Sequence, residues 1–123
     1  MDGFKAINDT LGHDSGDIVL KTVAERLLKS VRTFDIVSRF GGDEFVIIMK
    51  NLKDTDVINC VCEKIINEVG TPIVLGENNC HVTASIGVAV FPHDGDDMDN
   101  LIKKADNAMY VAKKSGKNKV VFS

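Results

Sequence analysis

The chain has 123 residues, 44% hydrophobic and 27% charged, with a net charge of −3. That length suits one domain with a single core, and the balance of residue types excludes a disordered or fibrous chain. An acidic balance argues against a nucleic-acid surface, and the absence of an apolar run of membrane-spanning length makes a cytoplasmic segment the expectation, with a membrane anchor or sensor elsewhere in a longer parent left open.

In chain order, residues 4–11 predict a short helix closed by Gly12 as a left-handed cap. Residues 15–31 predict a long helix, because Ile18, Val19, Thr22, Val23, Arg26, Leu27 and Val31 recur at helical spacing and Ser15-Gly16-Asp17 suits its start. Two apolar runs, 36–40 and 45–49, flank Gly41-Gly42-Asp43-Glu44 and predict a β-hairpin, since glycine takes the positive φ angles of a tight turn. A polar connection over 51–55 leads to a second amphipathic helix marked by Ile58, Val61, Cys62, Ile65, Ile66 and Val69 and ended by Gly70.

Runs 73–75 and 81–90 flank a turn-rich 76–79 and predict another hairpin. Within it Ser85 and Gly87 place small residues on one face, which suggests that a helix or backbone packs closely there. Residues 92–95 predict a loop, about 98–115 a final helix striped by Leu101, Ala105, Ala108, Met109 and Ala112, and 119–122 a strand. The sum is α+β, a mainly antiparallel central sheet with surrounding helices. Cys60, Cys62 and Cys80 form no metal or disulfide pattern.

The chemistry concentrates at Gly41-Gly42-Asp43-Glu44. A glycine turn lets a phosphate approach the backbone N–H groups, and adjacent carboxylates suit the divalent cation that accompanies a nucleoside triphosphate. Two solvated acids on an ordinary hairpin would look the same.

Gly41-Gly42-Asp43-Glu44-Phe45 is the full GGDEF motif, and three further blocks match the same family in order. They are Phe4 to His13 with Gly16-Asp17, Ala84 to Ala89, and Ala105 to Lys113. The chain therefore resembles the GGDEF domain of bacterial diguanylate cyclases along nearly its whole length. The resemblance implies a fold like nucleotidyl cyclases and polymerase palms. It also implies condensation of two GTP into cyclic di-GMP with release of pyrophosphate, using Mg²⁺ or Mn²⁺ and a second GGDEF domain as partner. The family's N-terminal helix and first strand, with an aspartate that joins Glu44 on the metals, fall before Met1. Residues 1–123 are thus expected to be a partial GGDEF domain, inactive alone.

By resemblance, Gly41 and Gly42 approach the phosphates, Glu44 ligates metal, and Asp43 activates the hydroxyl or shares the metal. Asn8 and Asp17 match the edge of guanine, the carboxylate accepting from N1–H and the 2-amino group; as residues alone they suit helix caps equally. Lys5 and Lys113 resemble phosphate-side lysines, and Lys117 stands where many members have arginine. Arg32-Thr33-Phe34-Asp35 resembles the product-inhibition site, with Arg32 and Asp35 gripping cyclic di-GMP. The alternative function is a noncatalytic module that binds GTP or cyclic di-GMP and regulates an attached domain such as an EAL phosphodiesterase.

Overall fold

A computed structural model describes residues 1–52 and 54–123. Lys53, inside the expected polar connection, lies outside the described residues. The elements run α1 (Phe4–Leu11), α2 (His13–Ser30), β1 (Ile36–Gly41), β2 (Glu44–Ile48), α3 (Asp56–Val69), β3 (Ile73–Leu75), β4 (Asn78–Cys80), β5 (Ile86–Val88), α4 (Met98–Lys114) and β6 (Val120–Phe122). Among the described residues the strands pair two by two: β1 with β2 and β3 with β4 antiparallel, β5 with β6 parallel. This is an α+β chain whose mainly antiparallel strands stand as separate ladders. It divides into two units, Met1–Thr83 and Ala84–Ser123.

In the first unit α2 is the element on which the others pack, touching α1, α3, β1 and β3. It turns Val19, Val23 and Leu27 inward, and α1 adds Phe4 and Ile7 while α3 adds Ile58, Cys62, Ile65 and Val69. Each such side chain contributes roughly 1.5–3 kcal/mol when fully buried. The expected stripe needs one correction, because Ile18 is 51% exposed. The apolar arc is narrower than the sequence suggested. Arg26, at the polar margin of that arc, reaches across to donate to the carbonyls of Glu68, Thr71 and Pro72. It thereby ties the last turn of α3 and the two residues that lead into β3 to α2, and the Glu68 carbonyl also accepts from the Thr71 N–H at 3.3 Å.

The start of α2 also differs from expectation. Gly12 ends α1 with φ 91 and ψ 167, which is not the left-handed cap, and the same residue is the N-cap of α2. One glycine serves both helices, so α2 begins at His13 and Ser15-Gly16-Asp17 lies inside its first turns. The second hairpin is likewise shorter than expected. Leu75 pairs with Asn78 across Gly76-Glu77, and Gly76 has φ 62. The tight turn takes residues 78–80 as its return arm and leaves the β-branched run beyond it for other partners: Thr83 bridges Asp2, and 86–88 joins β6.

In the second unit α4 lies directly on β5 and β6. A Cβ added at Gly87 would overlap the carbonyl oxygen of Ala105 and lie within 3.0 Å of its carbon. The close approach expected from Ser85 and Gly87 is present, with Ala108 and Ala112 buried on the helix side. Asp97 caps α4 by accepting from the backbone N–H of Asn100 at 2.8 Å. Asp94 folds the preceding loop back, accepting from the Val90 N–H at 2.7 Å. Among the described residues no helix is long and apolar enough to cross a membrane.

Candidate functional site

The β1–β2 hairpin holds the glycine turn by a register with one irregularity. Arg39 pairs with Phe45 and Gly41 with Glu44, so Phe40 is an extra residue on β1 and only Gly42-Asp43 remains as the loop. Such a bulge twists the strand and re-aims the residues beyond it. Gly41 and Glu44 are therefore the last ladder pair, one step nearer the loop tip than the apolar runs implied. Gly41 has φ 154 and Gly42 φ 52, and a Cβ built at either would meet nothing within 4 Å. The space a side chain would take at both glycines of the turn is open.

One contact braces this turn that the sequence did not announce. Arg39 Nε donates to the Gly42 carbonyl at 2.9 Å. An arginine three residues ahead of Gly42 was the available signal for it. Asp43 is half-buried and Glu44 exposed. Among the described residues no three His, Cys, Asp or Glu side chains gather as a cation site. Mg²⁺ usually takes one or two carboxylates and completes its octahedron with water and substrate phosphates. Asp43 and Glu44 fit that pattern.

Asn8 on α1 is half-buried and Asp17 on α2 is exposed. Neither caps a helix, since the ends of α1 and the start of α2 have no side-chain cap. Gly16, next to Asp17, is buried beneath the amide of Asn8: a Cβ added there would overlap Asn8 Oδ1 and stand 2.8 Å from its Cγ. Asn8 and Gly16 stand eight residues apart with one glycine, Gly12, between them, and that spacing gave no hint of the packing.

The diguanylate cyclase GGDEF domain family matches residues 1–119. The chain belongs to the GGDEF domain family. It is similar to the bifunctional diguanylate cyclase/cyclic di-GMP phosphodiesterase MucR of Pseudomonas aeruginosa, 40% identical over 122 residues, covering 99% of this chain and 18% of the relative. It is also similar to the cyclic di-GMP phosphodiesterase NbdA of the same organism, 38% identical over 122 residues, covering 99% of this chain and 16% of NbdA. The solved GGDEF domain of YfiN (TpbB), also from Pseudomonas aeruginosa, superposes with a TM-score of 0.95 at 35% identity, covering 99% of this chain and 76% of that one. The chain thus spans less than a fifth of the length of these two curated relatives.

A second cluster of this GGDEF domain lies in the link from α2 to β1. Arg32 Nε donates to both Asp35 oxygens at 3.2 and 3.0 Å, its NH2 group reaches Asp35 Oδ1 at 2.7 Å, and the Arg32 backbone N–H reaches Oδ2 at 2.8 Å. The same NH2 group also donates to the Lys50 carbonyl at 2.6 Å. The hydrogen bond from Arg32 holds the Asp35 carboxyl below the usual carboxylate range, and the partnership raises the arginine in turn. Phe34 lies under the guanidinium, 4.4 Å from its carbon to the ring centroid, and is itself exposed. The expected pair is together, and each member is the other's partner.

The lysines fall in both units. Lys5 is exposed on α1 in the first unit. In the second, Lys113 is half-buried near the end of α4 and Lys117 is exposed with φ 61. Burial pushes the Cys62 thiol up to about 11, as suits a core residue rather than a reactive one.

Proposed function

We propose that this GGDEF domain binds one GTP and, facing a second GGDEF domain, joins two GTP into cyclic di-GMP. The observation that carries the proposal is the turn, an unobstructed glycine backbone at Gly41 and Gly42 beside two carboxylates. Each 3′-hydroxyl attacks the α-phosphorus of the other nucleotide, forming one P–O bond and expelling one pyrophosphate, with the hydroxyl proton released. Gly41 and Gly42 admit the phosphates, while Asp43 and Glu44 provide oxygen donors for Mg²⁺ or Mn²⁺. Such an ion, when bound, neutralises phosphate charge and lowers the pKa of the attacking hydroxyl. Asp43 also stands ready to accept that proton.

Asn8 and Asp17 read guanine on this proposal. A carboxylate accepting from N1–H and the 2-amino group is left desolvated and unpaired by adenine, and that penalty is the source of selectivity. Lys5, Lys113 and Lys117 are proposed as phosphate contacts on the family resemblance alone. A nucleotide substrate and a nucleotide product suit a domain that works in the cytoplasm.

A second reading is favoured by NbdA, whose name carries only the phosphodiesterase activity. In it the domain binds GTP or cyclic di-GMP and regulates an attached domain. Incubating the full-length protein with GTP and Mg²⁺ and resolving the nucleotides separates the two. Cyclic di-GMP with two pyrophosphates per product supports the cyclase; saturable GTP binding without product supports the regulatory module.

Arg32 and Asp35 are proposed to hold cyclic di-GMP as an inhibitor. Asp35 is occupied by Arg32, so the guanidinium face and its NH1 group would meet the guanine first. Arg32→Ala is expected to raise the inhibitory concentration of cyclic di-GMP about tenfold or more while initial turnover stays near wild type. Unchanged inhibition would refute the assignment.

A further inference from the structure

Glycine weakens a helix interior relative to alanine, so a buried glycine within a helix calls for a physical reason. Six glycines of this chain have one in their positive φ: Gly3, Gly12, Gly41, Gly42, Gly76 and Gly116. Gly16 does not, because it sits in α2 with ordinary helical geometry. What occupies the space a side chain would need is the polar end of Asn8. An added Cβ would overlap Oδ1 and lie 2.8 Å from Cγ and 3.4 Å from Nδ2. Gly87 is overlapped by main chain, whereas at Gly16 the neighbour is a side chain, the Asn8 amide.

Among the described residues no side-chain hydrogen bond fixes the Asn8 amide. Its place is set by packing on the bare backbone at Gly16, the residue directly before Asp17. We infer that Gly16 is a positioning residue for base recognition: it seats the Asn8 amide against α2 beside Asp17, so that amide and carboxylate act together on one purine edge. The inference rests on the proposal that Asn8 and Asp17 read guanine. A methyl group at position 16 evicts the amide from that seat without touching the carboxylate.

The test is calorimetric binding of GTP and ATP to the full-length protein and its Asn8→Ala, Gly16→Ala and Asn8→Ala/Gly16→Ala variants, with melting curves on the same samples. Gly16→Ala is expected to lower GTP affinity about 10- to 100-fold, close to the loss from Asn8→Ala, and to leave ATP binding unchanged. In the Asn8→Ala background the same change is expected to add no more than about twofold, because the group it displaces is already gone. Should Gly16→Ala alone fail to fold, the double variant, in which the overlapping amide is absent, is compared with Asn8→Ala. Equal GTP affinity for that pair supports the seat. A further tenfold loss in the pair, or parallel losses of GTP and ATP in both backgrounds, overturns it in favour of general helix packing. If Asn8→Ala weakens GTP while Gly16→Ala binds normally, the inference about Gly16 alone fails. Undiminished GTP binding by Asn8→Ala defeats the guanine-reading assignment and the inference with it.

Discussion

The β1–β2 hairpin and helix α2 belong to the same unit and obey different rules. No residue of β1 or β2 is buried, whereas α2 buries Gly16, Val19, Val23, Leu27 and Ser30. The helix makes the core and is held by it. The hairpin gets its shape from ladder hydrogen bonds, a bulge at Phe40 and the Arg39 brace, and presents its carboxylates on a scaffold that the core hardly touches. On the proposed function, stability and chemistry are therefore largely carried by different residues. Asn8 and Gly16 are the place where they meet, since a candidate base-reading amide there leans on a buried helical position.

The largest effect on stability expected from this contrast is in the core. Leu27→Ala removes a side chain that is 5% exposed, and should lower unfolding free energy by about 2–5 kcal/mol in urea melts. A loss under about 1 kcal/mol would mean that α2 is not the anchor of its unit.

A smaller effect is expected at the junction between the two regions, where Asp35 links the end of α2 to β1. Its carboxyl is held below the ordinary range by Arg32. A depressed folded pKa means that its contribution is fully present above the unfolded value of about 3.9 and is lost as pH falls through the folded one. Stability of the wild type should decline over that acid window more steeply than that of Asp35→Asn, which has no proton to take up there. Parallel curves for the two proteins would show that the pair adds nothing to folding.

Much of this was legible in the sequence because it depends on local pattern. The helix over 4–11, the stripe ending at Val69, the final helix from Met98 and the close packing at Gly87 all come from spacing and residue size. What was not legible depends on single geometric choices. Gly12 ends one helix and begins the next, and no periodicity reveals that a residue is shared. The turn at Gly76-Glu77 selects the polar residues 78–80 over a β-branched run because a two-residue loop fixes the register before propensity can act. At the site, the glycine turn and its acids were legible from composition. The Asn8–Gly16 seat and the mutual capture of Arg32 and Asp35 were not, since each turns on side-chain packing.

If chemistry and stability are divided in this way, Glu44 serves the reaction on a scaffold whose stability lies elsewhere. The direct measurement is pyrophosphate release from GTP and Mg²⁺ by the full-length protein and its Glu44→Ala variant, with a urea melt of each. Unfolding free energies are expected within about 0.5 kcal/mol of each other, as for an exposed surface residue. Turnover is expected to fall about 10²- to 10³-fold, the size seen when one preorganised electrostatic contact is removed from a reacting centre. Equal turnover by the two proteins, or a loss of activity matched by a loss of fold, would contradict that division.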